Sequence, residues 1–473
     1  MKSHFEFKGE WFLPSNTENR IFGVLSFKPN ESAELELFGS FSNSILLEDS
    51  NANDLILGLT SDSKLITLYK SFVTRRSSTN FVTEQETGTP TTTYTVNYIL
   101  VGAHVLKVQD LYFNKVVSDI HNLEEWVGLS GFDMKIDIEK RKKHEYNINY
   151  KLPEPIDFLI EEKVKGKLNF TAKTPSFSRY QKSAAVTQNI QLIIETNEEK
   201  ELTELLDYSY KFQNFLVLAL YESTHPISIT LYGEKFKETF GGKEYRKKIE
   251  FYAVIRNSIK KSKPKHDLEM LFYYYAIKDD FEKIIKNWYK NYSLLAPAFN
   301  LVFEQLYNKS RFSENNFLNL AQAAETFHAR LHNHTKLPRD VYKKMKEEIL
   351  SASPAKHHDW LNNQFNFGNN LNLHQRLVEI VEKYSNPIID KMLGDKETFI
   401  KNIKHSRNYY THYSKKGEKK ALKGIELYRL SEKLKILLVC AILEECGIKK
   451  EILVKLLDNV KWKYFNHITD WKK

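Results

Sequence analysis

Lys260-Lys261-Ser262-Lys263-Pro264-Lys265 divides the sequence into two parts of different periodicity. Upstream of it, apolar and polar residues tend to alternate, as they do in half-buried strands. Downstream, apolar residues recur at three- and four-residue spacing, as on one face of a helix. The break itself is basic and holds a proline, which removes a backbone donor and fixes φ, so neither kind of element continues through it. A domain boundary is therefore expected here, give or take about ten residues, with a β-rich region at 1–265 and a helical region at 266–473. The expected fold class is α+β, with strands first and an all-α region after them.

Working upstream, Ala33-Glu34-Leu35-Glu36-Leu37-Phe38-Gly39 and Ile21-Phe22-Gly23-Val24-Leu25-Ser26-Phe27 are the clearest strands, entered from Gly9-Glu10-Trp11-Phe12-Leu13-Pro14 through a turn at Asn16 and Asn19. Further strands are expected at 55–59, 64–72, 93–106, 134–138, 167–172, 189–194, 226–232 and 249–255. The polar segment 74–92, with Gly88 and Pro90, reads as a long hairpin loop. One helix interrupts the strands. It is expected to open at 197–199 and run to Tyr221, with Leu202, Leu205, Leu206, Phe212, Phe215, Leu216 and Ala219 facing a sheet.

Downstream, 268–307 reads as long helices interrupted at Pro297. Residues 317–332 form another, with Phe317, Leu320, Ala321, Ala324, Phe327, His328 and Leu331 on one face. Helices at 341–350, 371–384, 397–405, 425–445 and 451–462 complete a bundle without internal repeats.

A chain of 473 residues exceeds a single core, so two or three domains are expected. Its two cysteines, Cys440 and Cys446, share one apolar segment and offer no disulfide framework, which fits a reducing cytoplasm. Residues 1–11 carry charges and lack a signal-like apolar run. No stretch approaches the roughly 18 apolar residues of a membrane span. A soluble cytoplasmic protein with no membrane partner is expected. The formal charge of +10 is localised: 396–473 holds 19 Lys or Arg against 9 Asp or Glu, so the remainder is balanced. Such an excess either greets a polyanion or is simply a solvated lysine-rich face.

Inside this basic region lies Lys404-His405-Ser406-Arg407-Asn408-Tyr409-Tyr410-Thr411-His412-Tyr413. Histidine exchanges protons near neutrality. Arginine brings a permanent planar cation whose donors match phosphate oxygens. Cleavage of RNA through a 2′-hydroxyl requires a base, an acid and a cation for the phosphorane, and His412 and Arg407 supply these types. Asn408 is placed to orient either of them or to bind phosphate. Tyr413, Lys404, Lys415 and Lys416 are the adjacent candidates for substrate binding. On a straight helix Arg407 and His412 stand roughly 140° apart. They therefore share a site only where the helix ends, kinks or starts, or where a second copy completes the cleft across a two-fold axis.

The order Arg407-Asn408-Tyr409-Tyr410-Thr411-His412, late in an all-α region, resembles the signature of the HEPN superfamily of ribonucleases. The segments at Gly9 to Pro14, Gly23 to Phe27 and Glu34-Leu35-Glu36-Leu37-Phe38-Gly39-Ser40-Phe41 resemble the start of ApeA-type anti-phage proteins, and Phe317-Leu318-Asn319-Leu320-Ala321-Gln322-Ala323-Ala324-Glu325-Thr326-Phe327-His328 looks like the early helix of their HEPN domain. The resemblance implies an abortive-infection effector whose N-terminal region restrains or senses an unknown phage trigger. It implies a cofactor-free, metal-independent endoribonuclease, acting as a homodimer or higher even oligomer and leaving a cyclic phosphate and a 5′-hydroxyl. Transfer RNA is the target class that other HEPN toxins suggest. No acidic-lysine helix motif assigns Glu325 a role. The competing reading is a bundle that only binds RNA or dimerises.

Other constellations are weaker. His328 and His332, with His334, His357 and His358 beyond, have spacing compatible with zinc, but no cysteine cluster joins them, and a packed role for His328 is the expectation. Cys440 and Cys446 read as core. Tyr273, Tyr274, Tyr275 and Trp288 could stack bases but lie on apolar helices. Gly241-Gly242-Lys243 lacks the spacing of a phosphate loop.

Overall fold

The structure, a computed structural model, describes residues 4–41, 53–77, 90–134, 148–175, 180, 182–254, 265–266, 269–308, 313–332 and 334–459. All but Lys265 of the break at 260–265, most of the loop expected at 74–92, all but Met134 of the strand expected at 134–138 and the last residues of the expected 451–462 helix lie outside the described residues. The chain forms two compact units, 1–282 and 283–473.

In the first unit, β1 (Phe5–Leu13), β2 (Asn16–Lys28), β3 (Ser32–Leu37), β4 (Asn53–Thr60), β5 (Leu65–Ser77) and β6 (Thr91–Val101) close an antiparallel barrel. Its order is β3-β2-β1-β4-β5-β6, and β6 returns to β3 through Glu34↔Thr95. Alternation sorts the side chains: Ala33, Leu35 and Leu37 point in, and Glu34 and Glu36 point out. Leu25, Phe27, Ile56, Leu68, Val96 and Ile99 complete the interior around Trp11. Trp11 sits directly across from Gly58, whose missing side chain leaves the space that the indole occupies.

The end of β6 also pairs with the open sheet, Tyr98–Ala253 to Val101–Glu250. Between them come β7 (Tyr112–Ile120), α1 (Leu123–Val127), the small hairpin β8 (Phe132–Met134) and β9 (Ile148–Tyr150), then β10 (Ile156–Glu161), β11 (Val164–Lys173), β12 (Thr187–Glu201), α2 (Leu202–Leu220), β13 (Pro226–Tyr232), the exposed hairpin β14 (Lys237–Phe240) and β15 (Lys243–Arg246), and β16 (Ile249–Ala253). The open sheet runs β10-β11-β12-β7-β13-β16. Helix α2 packs on it, burying Leu205, Phe212, Phe215 and Leu216. The sequence placed the start of α2 near 197. Instead β12 stays paired with β7 up to Glu201↔Tyr112, and the Glu201 carboxylate then caps the helix by accepting from the Thr203 N–H at 3.0 Å. After β16 the unit ends with α3 (Tyr274–Ile277), where Tyr274 packs edge-on against Trp126.

The helical unit contains α4 (Phe281–Tyr307), which runs through Pro297 where an interruption was expected. Then come α5 (Glu314–Leu331), α6 (Arg339–Ala352), α7 (His358–Gly368), α8 (Leu373–Tyr384), α9 (Pro387–Leu393), α10 (Lys396–His412), α11 (Lys415–Glu418), α12 (Gly424–Glu445) and α13 (Lys450–Asn459). Helices α5, α8, α10 and α12 form a four-membered bundle in which each touches the other three. Phe317, Phe327, Leu377, Ile380, Ile403, Leu434 and Leu437 fill its centre. The chain is thus α+β, with a β-rich region containing a closed barrel followed by a helical region.

Candidate nucleic-acid active site

Helix α10 carries the motif. Its N-terminus is capped by the Asp395 carboxylate, which accepts from the Thr398 N–H at 2.8 Å, and Phe399, Ile400, Ile403, Ser406 and Tyr410 face the bundle. That buried stripe continues past 405, so the helix extends to His412 and does not stop where the sequence reading ended it. It stops at Tyr413, whose φ of 48° is left-handed and whose N–H returns to the Tyr409 carbonyl at 2.5 Å. The motif therefore occupies the last turn and a half of a regular helix. The helix ends there; it does not kink.

The return loop is pinned to that turn. Ser406 Oγ accepts from the Leu422 N–H at 3.0 Å, and the Tyr410 hydroxyl donates to the Leu422 carbonyl at 3.0 Å. Ser414 caps α11, its hydroxyl accepting from the Gly417 N–H at 3.2 Å. Tyr409, Tyr410 and Tyr413 contact one another edge-on, with centroids 4.9 to 6.1 Å apart. The Lys423 ammonium lies 5.7 Å over the Tyr409 ring and 2.8 Å from Glu418.

On this scaffold Lys404, Asn408 and His412 follow at four-residue intervals, so they form one exposed stripe along α10. Arg407 stands on the flank of that stripe, half-buried, with its Nη2 3.4 Å from Glu325 Oε2 on α5. The Thr411 hydroxyl donates to the Arg407 carbonyl at 2.7 Å. Tyr413, Lys415 and Lys416 are exposed just beyond the helix end. The surroundings are electropositive. His405, two residues before Arg407, has its pKa lowered first by burial and then by Lys420, Lys404 and Lys401. Glu325 had no sequence signal of its own, because it is 82 positions from its partner and only the packing of α5 on α10 brings the two together.

The histidines on α5 serve another purpose. His328 is fully buried. Its Nδ1 accepts from Arg376 at 3.2 Å, so Nε2 carries the proton and donates to Glu379 at 2.7 Å. His334 shares the same carboxylate at 3.1 Å. Burial lowers the pKa of His328, which fits a neutral ring tying α5 to α8. His358 bonds the Ser353 carbonyl at 3.0 Å. Among the described residues no three His, Cys, Asp or Glu side chains are arranged to hold a metal ion. Cys440 and Cys446 are fully buried thiols whose pKa burial raises. Trp288 is core, whereas Tyr275 is exposed.

No helix among the described residues is long and apolar enough to cross a membrane. In comparison with known proteins, residues 6–288 match the family model ApeA N-terminal domain 1, and residues 318–452 match the model Apea-like HEPN. No curated protein and no solved structure matches the chain. With the first match spanning more than half of the chain and the second enclosing Arg407 to His412, the chain belongs to the ApeA family of anti-phage HEPN effectors.

Proposed function

We propose that the chain is a metal-independent endoribonuclease whose site is built around Arg407 and His412 and completed by a second copy. The observation that carries this reading is the exposed Lys404, Asn408 and His412 stripe, flanked by Arg407, at the end of a helix inside the HEPN match. An RNA phosphate lying along the stripe meets cations on one side and an imidazole at its end. His412 takes the proton of a 2′-hydroxyl as that oxygen attacks the neighbouring phosphorus. The 5′-oxygen leaves with a proton from a second imidazole, that of the other copy. Arg407 stabilises the charge that builds on the non-bridging oxygens. Asn408 holds the phosphate or the ring in register, and Lys404, Lys415, Lys416 and Tyr413 bind the flanking strand. The products are a 2′,3′-cyclic phosphate and a 5′-hydroxyl, with transfer RNA as the target class. The 1–265 region restrains or senses.

His412→Ala and Arg407→Ala are each expected to lower RNA cleavage by about 10²-fold or more while RNA binding persists. Chelator is expected to leave the wild-type rate unchanged. Sequencing of RNA ends that carry cyclic phosphate, with and without the His412 change, reads the outcome. Full cleavage by both variants sinks the assignment. Salt-dependent RNA binding without any cyclic-phosphate ends leaves the bundle as a binding or dimerisation module.

A further inference from the structure

The unit at 1–282 contains a cavity of about 340 Å³ at the seam where β6 passes from the barrel to the open sheet. One wall follows the end of β6, through Ala103 to Leu106; the other is the base of the β14–β15 hairpin, with Phe236 behind it. Three lysines line it, Lys235, Lys237 and Lys247, against one acidic residue, Asp110. Lys235 meets Asp110 at 2.5 Å, and Lys237 stands 3.5 Å from both Glu234 and Glu244. The side chains of these pairs are about a third to two-thirds exposed, and exposed pairs are weak and exchange partners readily. Lys247 makes no side-chain ion pair among the described residues, leaving its charge available to a ligand.

The rest of the lining is of a different kind. Leu65 and Leu106 give an apolar shelf, and Leu106 is 57% exposed although it is a large aliphatic side chain. Phe236 is buried and stacked on Phe113 at 5.4 Å, and the Lys247 N–H donates to its carbonyl at 2.7 Å, so the cationic rim is fixed to the sheet. His104 also lines the cavity. Its Nε2–H donates to the Gly58 carbonyl at 2.8 Å, which leaves Nδ1 as the acceptor of the neutral ring, the form that burial favours by lowering the pKa. Cations at the mouth, an apolar shelf and one neutral acceptor form the donor set for a phosphate joined to a flat ring that bears N–H or O–H groups. The volume lies near the lower end of small-ligand sites, on the order of 300–1,000 Å³, which suits a single nucleotide and not a strand.

We propose that this cavity binds a nucleoside monophosphate, with its phosphate at Lys237 and Lys247, its ring on Leu106, and a ring amine or sugar hydroxyl on Nδ1 of His104. The site lies wholly in the 1–282 unit and stands independently of the nuclease reading. Titration calorimetry on the full-length His412→Ala chain, at low salt, tests it with AMP, GMP, CMP and UMP, then with adenosine and inorganic phosphate as separate arms. At least one monophosphate is expected to bind, with the nucleoside and the phosphate each at least about tenfold weaker. Lys247→Glu is expected to weaken binding at least about tenfold, as is Leu106→Glu, with circular dichroism unchanged. Arg407→Ala is expected to leave affinity intact. The proposal fails if no monophosphate binds at millimolar concentration, or if Lys247→Glu has no effect in a folded chain. It fails equally if Arg407→Ala abolishes binding, since the nucleotide then occupies the helical unit.

Discussion

Arg407 reaches Glu325 at 3.4 Å with about a third of each side chain exposed, 35% and 37%. An ion pair of that exposure contributes about 0–1 kcal/mol. A phosphodiester presents two oxygens to the guanidinium fork, which is the stronger partner. Under the proposed function, Glu325 would hold the cation in place without RNA and yield it to phosphate. Glu325→Gln is expected to tighten RNA binding by roughly two- to fivefold at low ionic strength, with the gain fading near 1 M salt, where the Debye length is about 3 Å. Fluorescence anisotropy across a salt series checks this, and weaker binding at every salt concentration would make Glu325 an orienting residue instead. The difference between Arg407 and Glu325 also shows what sequence can carry. Arg407, Asn408 and His412 can be named as candidates from sequence because their chemistry and spacing sit within one short segment. Glu325 cannot, since its relation to Arg407 exists only through helix packing. His328 lies between these cases: its apolar helix face pointed to a packed role, but Arg376 and Glu379 as its partners were hidden.

At the level of elements, strict alternation located β2 and β3, whose inward residues are all apolar. It missed β7, a central strand, because two of its buried positions are polar. Asn114 there bonds Glu234 at 3.2 Å, and Ser118 pairs with Ser209 of α2 at 2.8 Å. Helix α10 was placed but cut short, since the run of polar residues after His405 conceals the buried Ser406 and Tyr410. Helices α7 and α9 carried too little periodicity to register, and α7 buries none of its residues. The C-terminal turn of α12 yields a pH prediction. Glu445 is held below its ordinary pKa, against the effect of burial, by hydrogen bonds from Lys383 at 2.8 Å and Tyr384 at 2.7 Å. Its neighbour Glu444 is pushed up to about 7 by burial, Lys450 at 3.8 Å offsetting only part of this. The folded pKa of Glu444 exceeds the unfolded value, so its contribution to stability is complete below about 4.5 and is lost as pH rises through 7. Glu444→Gln removes that loss. Scanning calorimetry is expected to show a melting temperature about 2–4 °C above wild type at pH 8, with the gap narrowing toward pH 5. An equal gap at both pH values would mean that Glu444 is ionised throughout.

For the molecule as a whole, the decisive quantity is the number of chains in one site. Each chain brings one Arg407 and one His412, while transesterification needs both a base and an acid. Arg407 faces α5 and His412 ends an exposed stripe, so the two stand on different sides of one helix; under the proposed function a two-fold neighbour would bring a second His412 to the same cleft. On that reading, activity is a property of the pair. If wild-type and His412→Ala chains are denatured together, refolded and assayed over a range of ratios at constant total protein, activity is expected to follow the square of the wild-type fraction. An equal mixture would then retain about a quarter of the rate, because random pairing leaves only that share of dimers with both histidines. A site complete within one chain gives a straight line and half the rate at the same point. Sedimentation of the mixtures has to show the same even oligomer at every ratio, so that curvature reports shared chemistry and not dissociation. A linear response in intact oligomers would require another group in the same chain to take the place assigned to the second imidazole.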